Sequence, residues 1–245
     1  MPLPTAVFST HTAIPDWVTT NLTDAMQGTI DQYDRLGLRF EAVYAGFLGS
    51  AAQIDRVREA AERLKAADGI TLIDPVMGDN GKVYDTYTPE MCTRMRELCA
   101  IADIITPNTT EAAILLDRDP RSKPQNREQA LEWMQALHRE YGAQVVLTGL
   151  DYERGRVGSG CLSGGTAVVS LHHRIDRYYP GTGDLFASVM LGMLLNGQSL
   201  AASCEKAGAF VQDCISYTAA QQTNTMHGVQ FEKLLYQLVG GDHGT

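Results

Sequence analysis

Long apolar runs are missing from this chain of 245 residues: the longest, around residues 185–195, is too short to cross a bilayer, so no membrane partner is expected. Blocks of lysine and arginine are missing too. With 20 basic against 29 acidic residues the formal net charge is −9, which argues against nucleic acid as a partner. Nucleotides are not excluded, because backbone N–H groups and one metal ion can hold a phosphate in an acidic protein. Cysteine is sparse. The five (Cys92, Cys99, Cys161, Cys204, Cys214) are odd in number and form neither a CxxC pair nor a Cys/His ligand pattern. That spacing excludes a zinc framework and points to reduced thiols in a cytoplasmic protein. Residues 1–5 show no basic segment leading into an apolar core, so no secretory leader is expected.

What is present suits a folded enzyme domain. Hydrophobic residues make up 44% of the chain and charged residues 20%, enough core to argue against disorder. No internal repeat, low-complexity segment or linker interrupts it, so residues 1–245 read as one domain.

Taken in order, the chain alternates strand and helix patterns. Residues 5–10 read as a short buried strand. Residues 23–36 follow as a helix, capped by Asn21 or Thr23 and stopped at Gly37. Residues 40–45 are a strand, and Ser50 caps an amphipathic helix that buries Ile54, Val57, Ala61 and Leu64 and ends at Asp68-Gly69. Strands are expected at 70–74, 103–106 and 144–148. Helices are expected at 88 onward (with Pro89 in its favoured first position), 109–116 and 127–141. Residues 157–173 read as a β-hairpin turning at Ser163-Gly164-Gly165, and the last third as helices over 184–196, 199–217 and 229–238. Strands separated by helices imply an α/β fold, with a mostly parallel central sheet covered by helices on both faces.

In such a sheet, ligands bind beyond the carboxyl ends of the strands. Five polar clusters fall there: Ser9-Thr10-His11-Thr12, Gly46-Phe47, Asp74 to Asp79, Thr106 to Glu111, and Thr148-Gly149. A sixth stretch, Gly181-Thr182-Gly183-Asp184, is a glycine turn opening directly into a helix. Its unpaired N–H groups favour an anion, and Asp184 is fixed inside the turn as a base. On this stretch alone an ordinary capped core helix fits equally well. Asp74 and Glu111 suit a hydrated Mg2+, though Asp74 also fits a turn before Pro75 and Glu111 a first-turn acid on a helix dipole. Asn108 and Thr148 can donate to phosphate oxygens. Three other features are set aside. Gly192 to Ser199 resembles a phosphate loop but lacks its lysine and sits at a helix end. His172-His173 alternate across a strand, and His138 lies on a solvated helix face.

Together, Gly181-Thr182-Gly183-Asp184, Asp74-Pro75-Val76-Met77-Gly78-Asp79, Thr106-Pro107-Asn108-Thr109-Thr110-Glu111, Phe8-Ser9-Thr10-His11-Thr12 and Tyr87-Thr88-Pro89-Glu90 resemble the ribokinase-like kinases, and within them the pyridoxal kinases. The resemblance spans nearly the whole chain. It implies a three-layer ribokinase-like fold and transfer of phosphate from ATP to a hydroxymethyl group of pyridoxal, pyridoxamine or pyridoxine in vitamin B6 salvage. It also implies Mg2+, a monovalent cation whose requirement stays open, and a cytoplasmic homodimer. By that resemblance Asp184 is the base, and the N–H groups of Gly181, Thr182 and Gly183 are the anion hole. Asp74 and Glu111, with Asn108, hold the metal, and Thr148 and Tyr87 contact the ATP phosphates. Phe8, Thr12 and Phe47 line the ring pocket. The related hydroxymethylpyrimidine kinases, and a nucleotide-binding remnant with little activity, are the alternatives. Family members begin with a further strand and helix, on the order of 30 residues, before the strand matching residues 5–10. This sequence starts after that segment, which leads to an expectation of weak substrate binding.

Overall fold

Side-chain alternation along the strands decides which layer each residue joins. On the central strands Leu72, Ile104, Val146 and Cys161 face one helical layer, while Ile73, Ile105, Val145, Leu147 and Leu162 face the other. The structure, a computed structural model, describes residues 1–12 and 14–239. Its elements run β1 (Ala6–Phe8), β2 (Thr19–Asn21), α1 (Thr23–Arg35), β3 (Phe40–Ala45), α2 (Ala51–Leu64) and β4 (Lys65–Ile73). They continue with β5 (Gly78–Asp79), β6 (Lys82–Val83), α3 (Pro89–Cys99), β7 (Ile104–Ile105), α4 (Thr109–Leu115), α5 (Arg127–Tyr141) and β8 (Gln144–Leu150). The chain ends with β9 (Arg156–Ser163), β10 (Thr166–His173), α6 (Thr182–Leu195), α7 (Leu200–Ala220) and two short 3-10 turns, Thr225–His227 and Glu232–Gln237.

The main sheet has the order β10-β9-β8-β7-β4-β3. Strands β3, β4, β7 and β8 are parallel, and the β9–β10 hairpin adds two antiparallel strands at one edge. Helices α2, α3, α4 and α5 pack on one face around Ile54, Met95, Ala112 and Met134, and α6 and α7 on the other around Met190 and Phe210. This is the three-layer α/β arrangement expected. No described helix is long and apolar enough to cross a membrane.

Helix starts follow their caps. Ser50, Thr88, Asn126 and Ser199 each accept a backbone N–H from the first turn of the helix they precede. Gly142 closes α5 in the left-handed conformation. Gln53 is fully buried yet satisfied: its Oε1 accepts from the Gly49 N–H, and its Nε2 donates to the Thr5 carbonyl and the Thr23 hydroxyl. One amide thus ties the first strand, the start of α1 and the loop before α2 together.

Four expectations are corrected. The strand expected at residues 5–10 shrinks to Ala6–Phe8 and lies outside the main sheet; it pairs antiparallel with β2, and Val7 is 59% exposed. The chain folds back over residues 9–18, so the ladder closes locally. Helix α1 has Leu22 at its cap position with no side-chain bond, while Asn21 Oδ1 accepts from the Thr23 N–H just inside. Asp68-Gly69 does not end α2. Lys65 already pairs with Phe40, and the register then jumps to Ala42 opposite Ile70, so Asp68-Gly69 sits in a bulge within β4. Residues 229–238 form only a 3-10 turn, whose cap residue Phe231 offers no side-chain acceptor.

Gly158 meets β10 so closely that a Cβ there would lie 2.0 Å from the Ser170 carbonyl oxygen. Gly158→Ala must therefore part the hairpin or shift it, and a loss of at least ~2 kcal/mol in urea unfolding is expected. Gly155→Ala is less informative because its φ is +72°. A stability loss under about 0.5 kcal/mol at Gly158 would mean the hairpin yields without cost.

Candidate active site

Two helices begin at the carboxyl edge of the parallel strands, and they treat their N-termini in opposite ways. The first, α4, is closed by its own residues. Asn108 Oδ1 accepts from the Thr110 and Glu111 N–H groups at 2.9 and 3.0 Å, and Glu111 Oε2 accepts from the Asn108 N–H at 2.8 Å. This is a reciprocal capping box. Asn108 Nδ2 also donates to the Gly78 carbonyl, and Glu111 Oε1 accepts from the Met77 N–H at 3.2 Å. The side chain of Asn108 is thereby committed to holding Glu111 and the β5 turn in place. The adjacent Thr148 leaves β8 at a register shift and bridges to Asn108.

The second helix, α6, is left open. Gly181 caps it at φ 82°, a conformation that favours glycine, and no side chain caps the first turn. The chain's first described bond into this turn runs from the Leu185 N–H to the Gly181 carbonyl at 3.0 Å. The N–H groups before it point out of the helix end. A Cβ placed on Gly181 or Gly183 would meet nothing within 4 Å, so the space in front of these donors is clear.

These two ends share one cavity of about 810 Å³, lined by Asp74, Asn108, Glu111 and Thr148 from the strand ends and by residues 181–184 from α6. Six carboxyl groups line it; Asp151 pairs with Lys123 and Arg174, while among the described residues Asp74, Glu111 and Asp184 form no ion pair with a lysine, arginine or histidine. Burial pushes Asp74 up to about 7, and the Asp184 charge adds to the rise. Burial also raises Glu111, helped by Asp74 and opposed by the two N–H groups it accepts. Asp184 is solvent-accessible from the cavity, and the surrounding wall raises it as well.

A hard divalent cation fits this donor set. Asp74 is buried, carboxylate-bearing and without a cationic partner, while each Glu111 oxygen already accepts one N–H and keeps lone pairs for a bound water. Among the described residues no group of three or more His, Cys, Asp and Glu side chains could enclose a metal. Mg2+ is typically held by one or two carboxylates, waters and substrate phosphates.

Other expected residues lie elsewhere. Tyr87 is buried in the core beneath α3 and does not line the cavity. Phe8 and Phe47 stack edge-on with centroids 5.8 Å apart, and Trp17 packs on Phe8 at 5.3 Å; neither Phe8 nor Phe47 lines the main cavity, and Thr12 is exposed. Residues 226–228 touch both the loop after β1 and the residue before the glycine turn. His11 Nε2 lies 2.7 Å from the Met226 carbonyl, and a Cβ on Gly228 would sit 3.4 Å from the Pro180 carbonyl.

The cavity also holds groups that the pattern reading did not select. His172 and His173 both line it, and His172 packs against Gly208 of α7, where a Cβ would come within 2.7 Å of Nε2. Lys123 and Arg174 reach the cavity wall while paired with Asp151, and Arg177 lines it with no ion pair among the described residues. The clustering of Arg174 and Arg177 just ahead of the glycine turn was the available signal.

The model of the phosphomethylpyrimidine kinase family matches residues 7–230. A pyridoxal kinase, PdxY, of Pseudomonas syringae pv. syringae is 32% identical over 231 residues, which cover 89% of this chain and 78% of that protein. The pyridoxal kinase of Ovis aries is 31% identical, over 81% of this chain and 69% of that one. Among solved structures, a candidate phosphomethylpyrimidine kinase of Bacteroides thetaiotaomicron, crystallised with pyridoxal, superposes with a TM-score of 0.92 at 33% identity. That match covers 98% of this chain and 85% of the other.

The raised carboxyl of Asp74 has a definite pH signature. Its ordinary value is 3.8 and its folded value is about 7, so the folded protein holds a proton that the unfolded chain has released. The stability this proton provides is complete below about pH 4 and is lost as pH rises to about 7. Asp74→Asn, which imitates the protonated form, should match the parent near pH 4 and exceed it near pH 8 by on the order of 1–3 kcal/mol in urea unfolding without nucleotide. An equal difference at both pH values would remove Asp74 from this role.

Proposed function

The chain belongs to the phosphomethylpyrimidine kinase family, among its pyridoxal kinases, and from that premise we propose how its own residues transfer the γ-phosphoryl group of ATP to the hydroxymethyl group of a B6 vitamer. The observation that carries the reading is Asp184, third residue of an uncapped helix, facing a cavity it shares with Asp74 and Glu111.

Asp184 takes the proton from the acceptor hydroxyl as the oxygen attacks phosphorus. Its raised pKa brings it nearer to that of a base operating at neutral pH. The N–H groups of Gly181, Thr182 and Gly183 face the negative charge that develops on the transferring group, and they are preorganised because the backbone fixes them. Asp74 and Glu111 would hold Mg2+ and its waters, with Asn108 locking Glu111 in place, and a cation bound there would supply neutralising charge to the phosphates. Thr148 contributes a hydroxyl to a phosphate oxygen, and the cations along the wall, Arg177 first, offset the charge of the triphosphate. Phe8 and Phe47 offer apolar faces to the pyridine ring and Thr12 a hydrogen bond, at the end of the site nearest Asp184. Tyr87, from the core, supports α3 rather than meeting the nucleotide. The same reading places one kinase domain per chain in a cytoplasmic homodimer.

A second substrate class, hydroxymethylpyrimidine, is favoured by the family model that matches residues 7–230. Both classes present a flat ring with a primary alcohol, so the base and anion hole serve either.

Turnover of pyridoxal, pyridoxamine and hydroxymethylpyrimidine with ATP and Mg2+ ranks the acceptors, and a B6 vitamer is expected to lead. Asp184→Asn should cut that turnover by on the order of 10²–10⁴-fold while ATP still binds. Chelation by EDTA should abolish it reversibly. Unchanged turnover in Asp184→Asn would dismiss the base assignment.

A further inference from the structure

Tyr44 stands at the carboxyl end of β3, two residues before Gly46, and its hydroxyl is buried with no hydrogen-bond partner. Leaving a polar group in that state costs roughly 1–3 kcal/mol, so its retention calls for a partner in some state of the protein. The position of the hydroxyl narrows the choice. The point where a Cβ would stand on Gly46 lies 3.6 Å from Tyr44 Oη and 3.7 Å from Asp184 Oδ1. A side chain from the central sheet and one from the helix layer packed on it therefore border one small space, and the missing side chain of Gly46 keeps it open. Burial first, and then the charges of Asp74 and Asp184, hold the proton on the Tyr44 phenol, which leaves it a donor. The hydroxyl is not among the groups that line the main cavity.

We propose that Tyr44 is a positioning residue for Asp184: its hydroxyl donates across the space beside Gly46 to the Asp184 carboxylate and sets the direction in which that base faces the acceptor alcohol. This rests on the kinase reading above, and it adds a residue that no motif marks. The two groups are not bonded in this structure, so the contact forms when a side chain moves across the space beside Gly46, and the neutral donor steadies a carboxylate that has no ion pair with lysine or arginine among the described residues.

The experiment pairs two substitutions with one structural readout. Tyr44→Phe removes only the hydroxyl, so the melting temperature should stay level or rise. With pyridoxal and Mg2+-ATP, kcat should fall roughly 10- to 100-fold, the range of one hydrogen bond to a charged group, while both KM values stay within about twofold. Gly46→Ala sets a methyl at ordinary contact distance from both groups, so it folds but blocks their approach. It should lose kcat similarly, and adding Tyr44→Phe to it should cost nothing more. Losses that multiply, a kcat unchanged in Tyr44→Phe, or a fall in kcat matched by a rise in KM for pyridoxal would each overturn the proposal. A crystal structure with Mg2+ and a non-hydrolysable ATP analogue is independent of turnover. It should show Tyr44 Oη about 2.5–3.0 Å from an Asp184 oxygen, and a separation beyond about 3.5 Å rejects the contact. Absence of kinase activity in the parent protein would instead count against the kinase reading, and the structural distance would still decide the Tyr44 contact.

Discussion

Three carboxyl groups crowded at one edge of a sheet, with no basic side chain paired to them, are the constraint around which this protein is arranged. Buried carboxyls resist ionising, and a like charge nearby adds to the cost: burial first, and then the Asp184 charge, carry the Asp74 pKa to about 7. Elsewhere the chain pairs its charges freely: Arg63 alone reaches Asp31, Asp34 and Glu59. The site, among the described residues, leaves Asp74, Glu111 and Asp184 without such a pair. It marks a place where the compensating positive charge is to come from a ligand, which is the condition a cation-dependent phosphoryl transfer sets.

The two helix ends at this edge divide the work. An N-terminus attracts anions only while its N–H groups stay free. At α4 they are occupied by Asn108, whose partner Glu111 is fixed in return, so that end builds a rigid carboxylate. At α6 a glycine replaces the capping side chain and the donors remain available. One end supplies an acid to the cation side, and the other supplies donors to the anion side. A serine or asparagine at position 181 would satisfy the helix and close the anion site.

Much of this was legible in the sequence, and the limits have physical causes. Caps at Ser50, Thr88 and Asn126, and the glycine stop at Gly142, are local signals, and the helices follow them. Asp74, Asn108, Glu111, Thr148 and the 181–184 turn could be gathered because strand ends in a parallel sheet converge. The bulge at Asp68-Gly69 was hidden because the turn signal of Asp-Gly is the same whether it ends a helix or bends a strand. Residues 5–10 carry an apolar strand pattern, yet which partner a short strand pairs with depends on tertiary context that a single run does not encode. Tyr87 follows a motif and sits in the core, whereas Tyr44 follows none and points at the acids. Tyr44 takes its direction from period two within β3, which is read only once the register is known, whereas Tyr87 lies in the loop before α3, where no period orients it.

Gly46 shows how closely the two halves of the site depend on each other. A phosphate site on α6 and a carboxylate site on β4 and α4 belong to different layers, and β3 is the edge strand beside them. Any side chain at position 46 would intrude between Tyr44 and Asp184, in the one place where the edge strand meets the base. Because Asp184 raises Asp74, whatever steadies the carboxylate of Asp184 also bears on how readily Asp74 gives up its proton to receive a cation. On the proposed reading, base and cation ligands are therefore coupled through charge, and the space left by the absent side chain of Gly46 borders the base.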